Sequence, residues 1–121
     1  MTKKEKGRRE AIERYKRELL PLAEDVEDEQ RKALLLNLID KVAYQTAMLD
    51  EIQEDTIVHG VTVKYNNGGG QSGVRISPSV QVYTQYAKLL HAYLRQFRDY
   101  LPETAEGEDA LKSFIEAHDS A

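Results

Sequence analysis

The sequence has no cysteine, which excludes disulfides and thiolate-bound metals and removes any need for an oxidising compartment. It also lacks a long apolar run: nothing approaches the roughly 20 apolar residues of a membrane span. Residues 1–20 are charged throughout and hold neither the apolar centre nor the small-residue cleavage site of a secretory signal. A cytoplasmic protein with no membrane partner is therefore expected. Histidine is scarce and scattered, with His59, His91 and His118 in separate segments and no spacing that would aim two of them at one metal. The glycine-rich stretch Asn67 to Gly73 lacks the Gly-Lys-Ser/Thr ending of a phosphate loop. Glu51 shares a helix face with Asp55, and likewise with Glu54, but no third group converges on either pair. No catalytic residue, no metal and no cofactor is expected.

What is present suits one small domain. The chain has 121 residues and 13.8 kDa, with 40% hydrophobic residues, enough for one modest core, and 31% charged residues, which fits long helices with solvated faces. The net charge of −4 hides a lopsided distribution. Residues 1–17 carry eight Lys or Arg against three Glu, and from Asp99 onward seven acidic residues face the single Lys112. A basic head with an acidic tail points to two different partners, the head being suited to polyanions.

The apolar spacing predicts a helix over Thr2 to Leu20, with Ala11, Ile12, Tyr15 and Leu19 on one side and Pro21 as its end. Gly7 weakens its beginning, so the residues before it are expected as a mobile arm. The acidic cluster from Glu24 to Glu29 suits the start of a long helix over about Asp28 to Thr56. Leu35, Leu38, Ile39, Val42, Leu49 and Ile52 form one stripe on it, and Ala43, Tyr44, Ala47 and Met48 form a second apolar group elsewhere around it. Two apolar sides need two neighbours, and other copies of the chain are the expected answer to the second. Alternation at Val61, Val63 and Tyr65, then a glycine-rich tip, then Val74 to Ile76, predicts a small β-hairpin at about 59–77 with a mobile tip.

Ser77 and Pro78 suit the start of a further helix running to about Leu101, its inner arc built from Tyr83, Tyr86, Ala87, Leu90, Leu94 and Phe97. After Pro102 an acidic tail carries the short amphipathic pattern Ala110, Leu111, Phe114 and Ile115, too short to hold a helix alone in water. The expected fold is mainly α: a long antiparallel helical hairpin with a small β-hairpin insertion, assembling as a helical oligomer. Its parts are a basic arm at 1–22, a hairpin core at 26–102 and an acidic tail at 103–121. Candidate phosphate contacts are Lys3, Lys4, Lys6, Arg8, Arg9, Arg14, Lys16 and Arg17, because an unpaired excess of +5 favours polyanions. Candidate oligomer contacts are Leu35, Leu38, Val42, Leu49, Tyr83, Tyr86, Leu90 and Phe97. Leu111, Phe114 and Ile115 are candidates for docking a partner.

The run Leu49-Asp50-Glu51-Ile52, then Gly60-Val61-Thr62-Val63 and Tyr65, then Gly68 to Gly73, Ser77-Pro78 and the Tyr-rich helix to Leu101-Pro102 resembles the small terminase subunits of tailed phages. The likeness covers about residues 30–102 as a pattern of elements. It implies a non-enzymatic subunit of a phage- or prophage-encoded packaging machine, working in the bacterial host cell. Such a subunit forms a ring of identical chains, binds double-stranded viral DNA and regulates a terminase large subunit carrying the ATPase and nuclease. The N-terminal region departs from that pattern in having room for one helix rather than a helix-turn-helix, so DNA contact is expected to be electrostatic. Two other classes compete on the sequence: a helical-hairpin adaptor that binds only proteins, and a small enzyme, for which no convergent polar pocket is evident.

Overall fold

The computed structural model describes residues 1–66, 68–70, 72–101 and 105–118, and the side chains of 105–110 and 118 are not described. The chain is mainly helical, with a two-stranded antiparallel sheet between its two longest helices. Helix α1 is Lys3–Leu19, α2 is the short Pro21–Glu24, and α3 is Glu29–His59. Strands β1 (Thr62–Asn66) and β2 (Ser72–Ile76) follow, then α4 (Pro78–Tyr100) and α5 (Ala105–His118).

Local chemistry sets most of these boundaries. The Thr2 hydroxyl accepts from the Glu5 N–H at 3.1 Å, an N-cap that starts α1 four residues ahead of Gly7. The arm expected to be mobile before Gly7 is instead helix, held by that cap and by pairs made from Glu5 and Arg8. Pro21 supplies no N–H and turns the chain into α2. The Asp28 carboxylate accepts from the N–H groups of Gln30 (2.9 Å) and Arg31 (3.1 Å) and starts α3. Gly60, at φ 80°, ends it in a backbone conformation that other residues adopt at a cost. Ser77 caps α4 with Pro78 at its first position.

Helices α3 and α4 form the expected antiparallel hairpin, the largest packing interface in the chain. At 31 residues α3 is about 46 Å long, and at 23 residues α4 about 35 Å. The core occupies one half of that length. Leu35, Leu38, Ile39, Val42, Ala43 and Ala47 of α3 meet Tyr15 and Leu19 of α1, Ala23 of α2, Phe97 and Leu101 at the end of α4, and Leu111 and Phe114 of α5. Beyond Leu49 the two helices have no fully buried side chain on either one until Phe97, and the far half projects as a two-helix arm tipped by the ribbon.

For Ala43 and Ala47 this arrangement corrects the expectation that other copies cover the second apolar side of α3, while Tyr44 on that side stays exposed. Helix α1 lies against α3, and its Tyr15 and Leu19 join the same cluster as Ala43 and Ala47. The described apolar side chains of the acidic tail are likewise partnered within the chain. Leu111 and Phe114 are buried, and the Phe114 ring meets Tyr15 edge-on, 6.3 Å between centroids.

Candidate nucleic-acid and assembly surfaces

The basic helix α1 is exposed along most of its charged side but is not free to act as one unit. Arg8 donates to both carboxylate oxygens of Glu51 on α3, at 2.7 to 3.0 Å. The hydrogen bond from Arg8, and then its charge, holds the Glu51 carboxyl below the usual range, while Glu51 raises the Arg8 guanidinium. Lys16 reaches Asp40 at 3.1 Å, and that hydrogen bond is the main cause of its raised pKa. Arg9 is paired with Glu5 along the helix at 3.2 Å. Between the two bridges to α3, the Tyr15 hydroxyl donates to the Asp50 carboxylate. Burial first, and this bond second, push the Tyr15 phenol up.

Three of the eight candidate phosphate contacts, Arg8, Arg9 and Lys16, are thus committed to carboxylates of the same chain. Lys3, Lys4, Lys6, Arg14 and Arg17 remain exposed, and among the described residues no ion pair joins them. Arg14 lies over the Tyr15 ring, 5.0 Å from its centroid, where its charge stays open to solvent. Sequence spacing showed that α1 was basic. The bridges to Glu51 and Asp40 join residues far apart in the chain, and no local pattern announces them.

The candidate oligomer contacts divide into two groups. Leu35, Leu38, Val42, Leu49 and Phe97 are buried inside the single chain, so their assignment to a surface between copies is corrected: α1, α2 and α5 already cover that end of the hairpin. Tyr83, Tyr86 and Leu90 are only partly covered, and of these Leu90 packs against the edge of the core. Tyr86 packs on Tyr44 of α3 with 6.4 Å between ring centroids, and the hydrogen bond between them raises the Tyr44 phenol. The assignment of Leu111 and Phe114 to an external partner is corrected on the same ground, while Ile115 stays half-buried against the core.

Apolar surface absent from the sequence-based set lies at the far end: Ile57 (71% exposed), Val58, Val61, Val74 and Ile76. Ile57 and Val58 occupy the last turn of α3, and Val61, Val74 and Ile76 belong to the ribbon beside it. The ribbon pairs Thr62 with Ile76 and Tyr65 with Gly73. The Tyr65 ring lies so close over Gly73 that an added Cβ would sit 2.8 Å from its hydroxyl oxygen. Arg75 extends the stack, its guanidinium 6.0 Å from the Tyr65 centroid. At the tip, the Asn66 side chain accepts from the Gly68 N–H at 2.8 Å, and Gly68, Gly69 and Gly70 all have positive φ. Asn67 and Gln71, also expected in this tip, lie outside the described residues.

An open groove between α3 and α4 is lined by Asn37, Asp40, Lys41, Tyr44, Gln45 and Tyr93. Gln45 is 6% exposed, and among the described residues its carboxamide oxygen has no hydrogen-bond partner. Among the described residues no three His, Asp or Glu side chains come together to hold a metal, and no helix is long and apolar enough to cross a membrane. No family model, curated protein or solved structure matches the chain.

Proposed function

We propose that this chain is a non-enzymatic DNA-binding assembly subunit of the small-terminase kind, working in the bacterial cytoplasm. In this reading several copies form a ring, bind double-stranded viral DNA through exposed cations and present it to a large ATPase and nuclease subunit. The observation that carries the reading is the projecting helical hairpin: in one half α1, α2 and α5 bury an apolar core, and the other half has no such cover and leaves Ile57, Val58, Val61, Val74 and Ile76 open. Exposed apolar side chains grouped at one end of the chain suit association, and a second copy of the same chain is their proposed occupant. Ile57, Val58, Val74 and Ile76 at the far end, together with the partly covered Tyr83, Tyr86 and Leu90 nearer the core, replace the buried leucines as proposed self-contacts.

A second reading has one observation in its favour. Arg8 and Lys16 are bound to α3, as cations that fasten a structural helix would be, which fits an adaptor that binds only proteins. Light scattering of the native protein, alone and with duplex DNA at low and high salt, separates the two. A closed oligomer that takes up DNA in a salt-dependent way supports the DNA-binding subunit. A monomer or dimer indifferent to DNA supports the adaptor.

A further inference from the structure

Asp and Glu make up 21 of the 121 residues, yet none falls among residues 56–98. That stretch holds Lys64, Arg75, Lys88, Arg95 and Arg98, a net of +5. The residues on either side are acidic: 18–55 sum to −8 and 99–121 to −6. The acid-free stretch is also continuous in the fold: the last turn of α3, the ribbon and almost all of α4.

On α4 the charges are aligned. Gln81, Thr84, Lys88, His91, Arg95 and Arg98 recur at steps of three and four residues, which puts them on one face, and all six are exposed. The opposite face, with Tyr86, Leu90 and Phe97, packs toward α3 and the core. Among the described residues no ion pair engages Lys88, Arg95 or Arg98, whereas α1 has three of its cations in such pairs.

From these observations we infer that the outer face of α4 is a nucleic-acid backbone contact, with Lys88, Arg95 and Arg98 as its phosphate ligands. The inference rests on the DNA-binding reading above and places the principal contact on α4 rather than on α1. Lys88 to Arg98 spans about 15 Å of helix, over which a duplex offers about nine phosphate charges. Uncharged donors at Gln81 and Thr84 extend the same line toward the ribbon, where Lys64 and Arg75 continue the positive charge.

An anionic membrane fits less well, because a surface-bound helix must sink its apolar face into the lipid and that of α4 is turned toward α3. A protein partner fits less well because the stripe holds no aromatic or aliphatic anchor of the kind that dominates protein interfaces.

The test uses the full chain with a mixed-sequence duplex, following binding by fluorescence anisotropy between about 50 and 200 mM salt. Three variants are compared: K88Q/R95Q/R98Q on α4, the charge-preserving K88R/R95K/R98K, and K3Q/K6Q/R14Q/R17Q on α1. Circular dichroism confirms that each is folded. The expected result is that the α4 glutamine variant binds more weakly and that its slope of log affinity against log salt flattens by about three. The charge-preserving variant should keep the parent slope. An unchanged slope in the α4 glutamine variant, with loss confined to the α1 variant, overturns the α4 contact and leaves the DNA-binding reading standing. No DNA binding by the parent chain sinks both. Phosphatidylserine vesicles that bind the parent chain but not the α4 variant, at salt where duplex binding is the same for both, overturn the inference in favour of a membrane.

Discussion

At the scale of single residues, the groups most sensitive to change are polar ones placed in or beside the core. Gln45 is the clearest, with a buried carboxamide oxygen that has no partner among the described residues. Leaving such a group unsatisfied costs about 1–3 kcal/mol, so Gln45→Met, similar in shape and without the polar atoms, should raise stability by about 1 kcal/mol in urea unfolding. A loss instead would mean that solvent or another chain satisfies this oxygen. Tyr15 makes a pH-dependent prediction. Its folded pKa is raised, by burial and then by the bond to Asp50, so the stability it contributes is complete below the ordinary phenol value of about 10. That contribution is lost as pH rises from there through the higher folded value. Tyr15→Phe should therefore be less stable than the parent at neutral pH by about 1.5 kcal/mol, the loss of a hydrogen bond to a charged acceptor. The gap should close as the pH is raised above about 10. Tyr44 shifts in the same direction and keeps part of the alkaline loss in the variant. A gap that stays constant to high pH would show that Tyr15 is not the titrating group.

At the scale of elements, α1 makes the most difference between a helical hairpin and a filled core. Its one weak point is Gly7, where an added Cβ would meet nothing within 4 Å. Gly7→Ala should therefore stabilise the chain by about 0.5–1 kcal/mol through helix propensity alone. Thermal unfolding measures it, and no gain would mean that the first turns of α1 are frayed in solution. The ribbon gives the opposite sign. Gly73→Val places a branched side chain where the Tyr65 ring lies, and should loosen the hairpin while leaving the helical content unchanged by circular dichroism. The long helices, the ribbon and their order were legible because each is written in local spacing: Pro21 and the Ser77-Pro78 pair mark boundaries, and alternation from Val61 to Tyr65 marks a strand, whereas the one-turn helix α2 was not read. What covers which helix was not legible. The two apolar sides of α3 were visible, but nothing local says that Tyr15, Leu19 and Phe114 of the same chain fill one of them. The acid-free run from 56 to 98 was open to a simple reading of the sequence, whereas the ties of Arg8 to Glu51 and Lys16 to Asp40 needed the fold.

At the scale of the whole molecule, stability and assembly separate along the length of the hairpin, and this separation can be tested with paired variants. Leu35 and Val42 are fully buried at the sealed end, where truncation removes apolar contact and leaves a cavity. Leu35→Ala should cost about 2–5 kcal/mol and change the oligomer only through loss of folded protein. Ile57, Val74 and Ile76 lie more than half exposed at the open end. In a lone chain, replacing them with serine removes little buried surface, so I57S/V74S/I76S should leave the stability of a dilute monomer within about 0.5 kcal/mol of the parent. If copies meet through this end, the same variant should lower the mass seen by light scattering, because each apolar side chain withdrawn from water contributes about 1.5–3 kcal/mol. An unchanged mass with unchanged stability would remove the far end from the interface and direct attention to Leu34, Leu36 and Leu89, the other exposed leucines on the two long helices. A fall in monomer stability would show instead that these side chains are packed within the chain. The DNA contact proposed on α4 lies on the same hairpin as this apolar end, with Arg95 and Arg98 beside the buried Phe97. An oligomer joined through the ribbon and the end of α3 would therefore repeat the Lys88, Arg95 and Arg98 stripe once per copy. Loss of assembly in the triple serine variant should then weaken duplex binding as well, through lost avidity rather than a lost contact. The salt slope of each isolated chain should stay as it is, which distinguishes this effect from removal of the α4 charges.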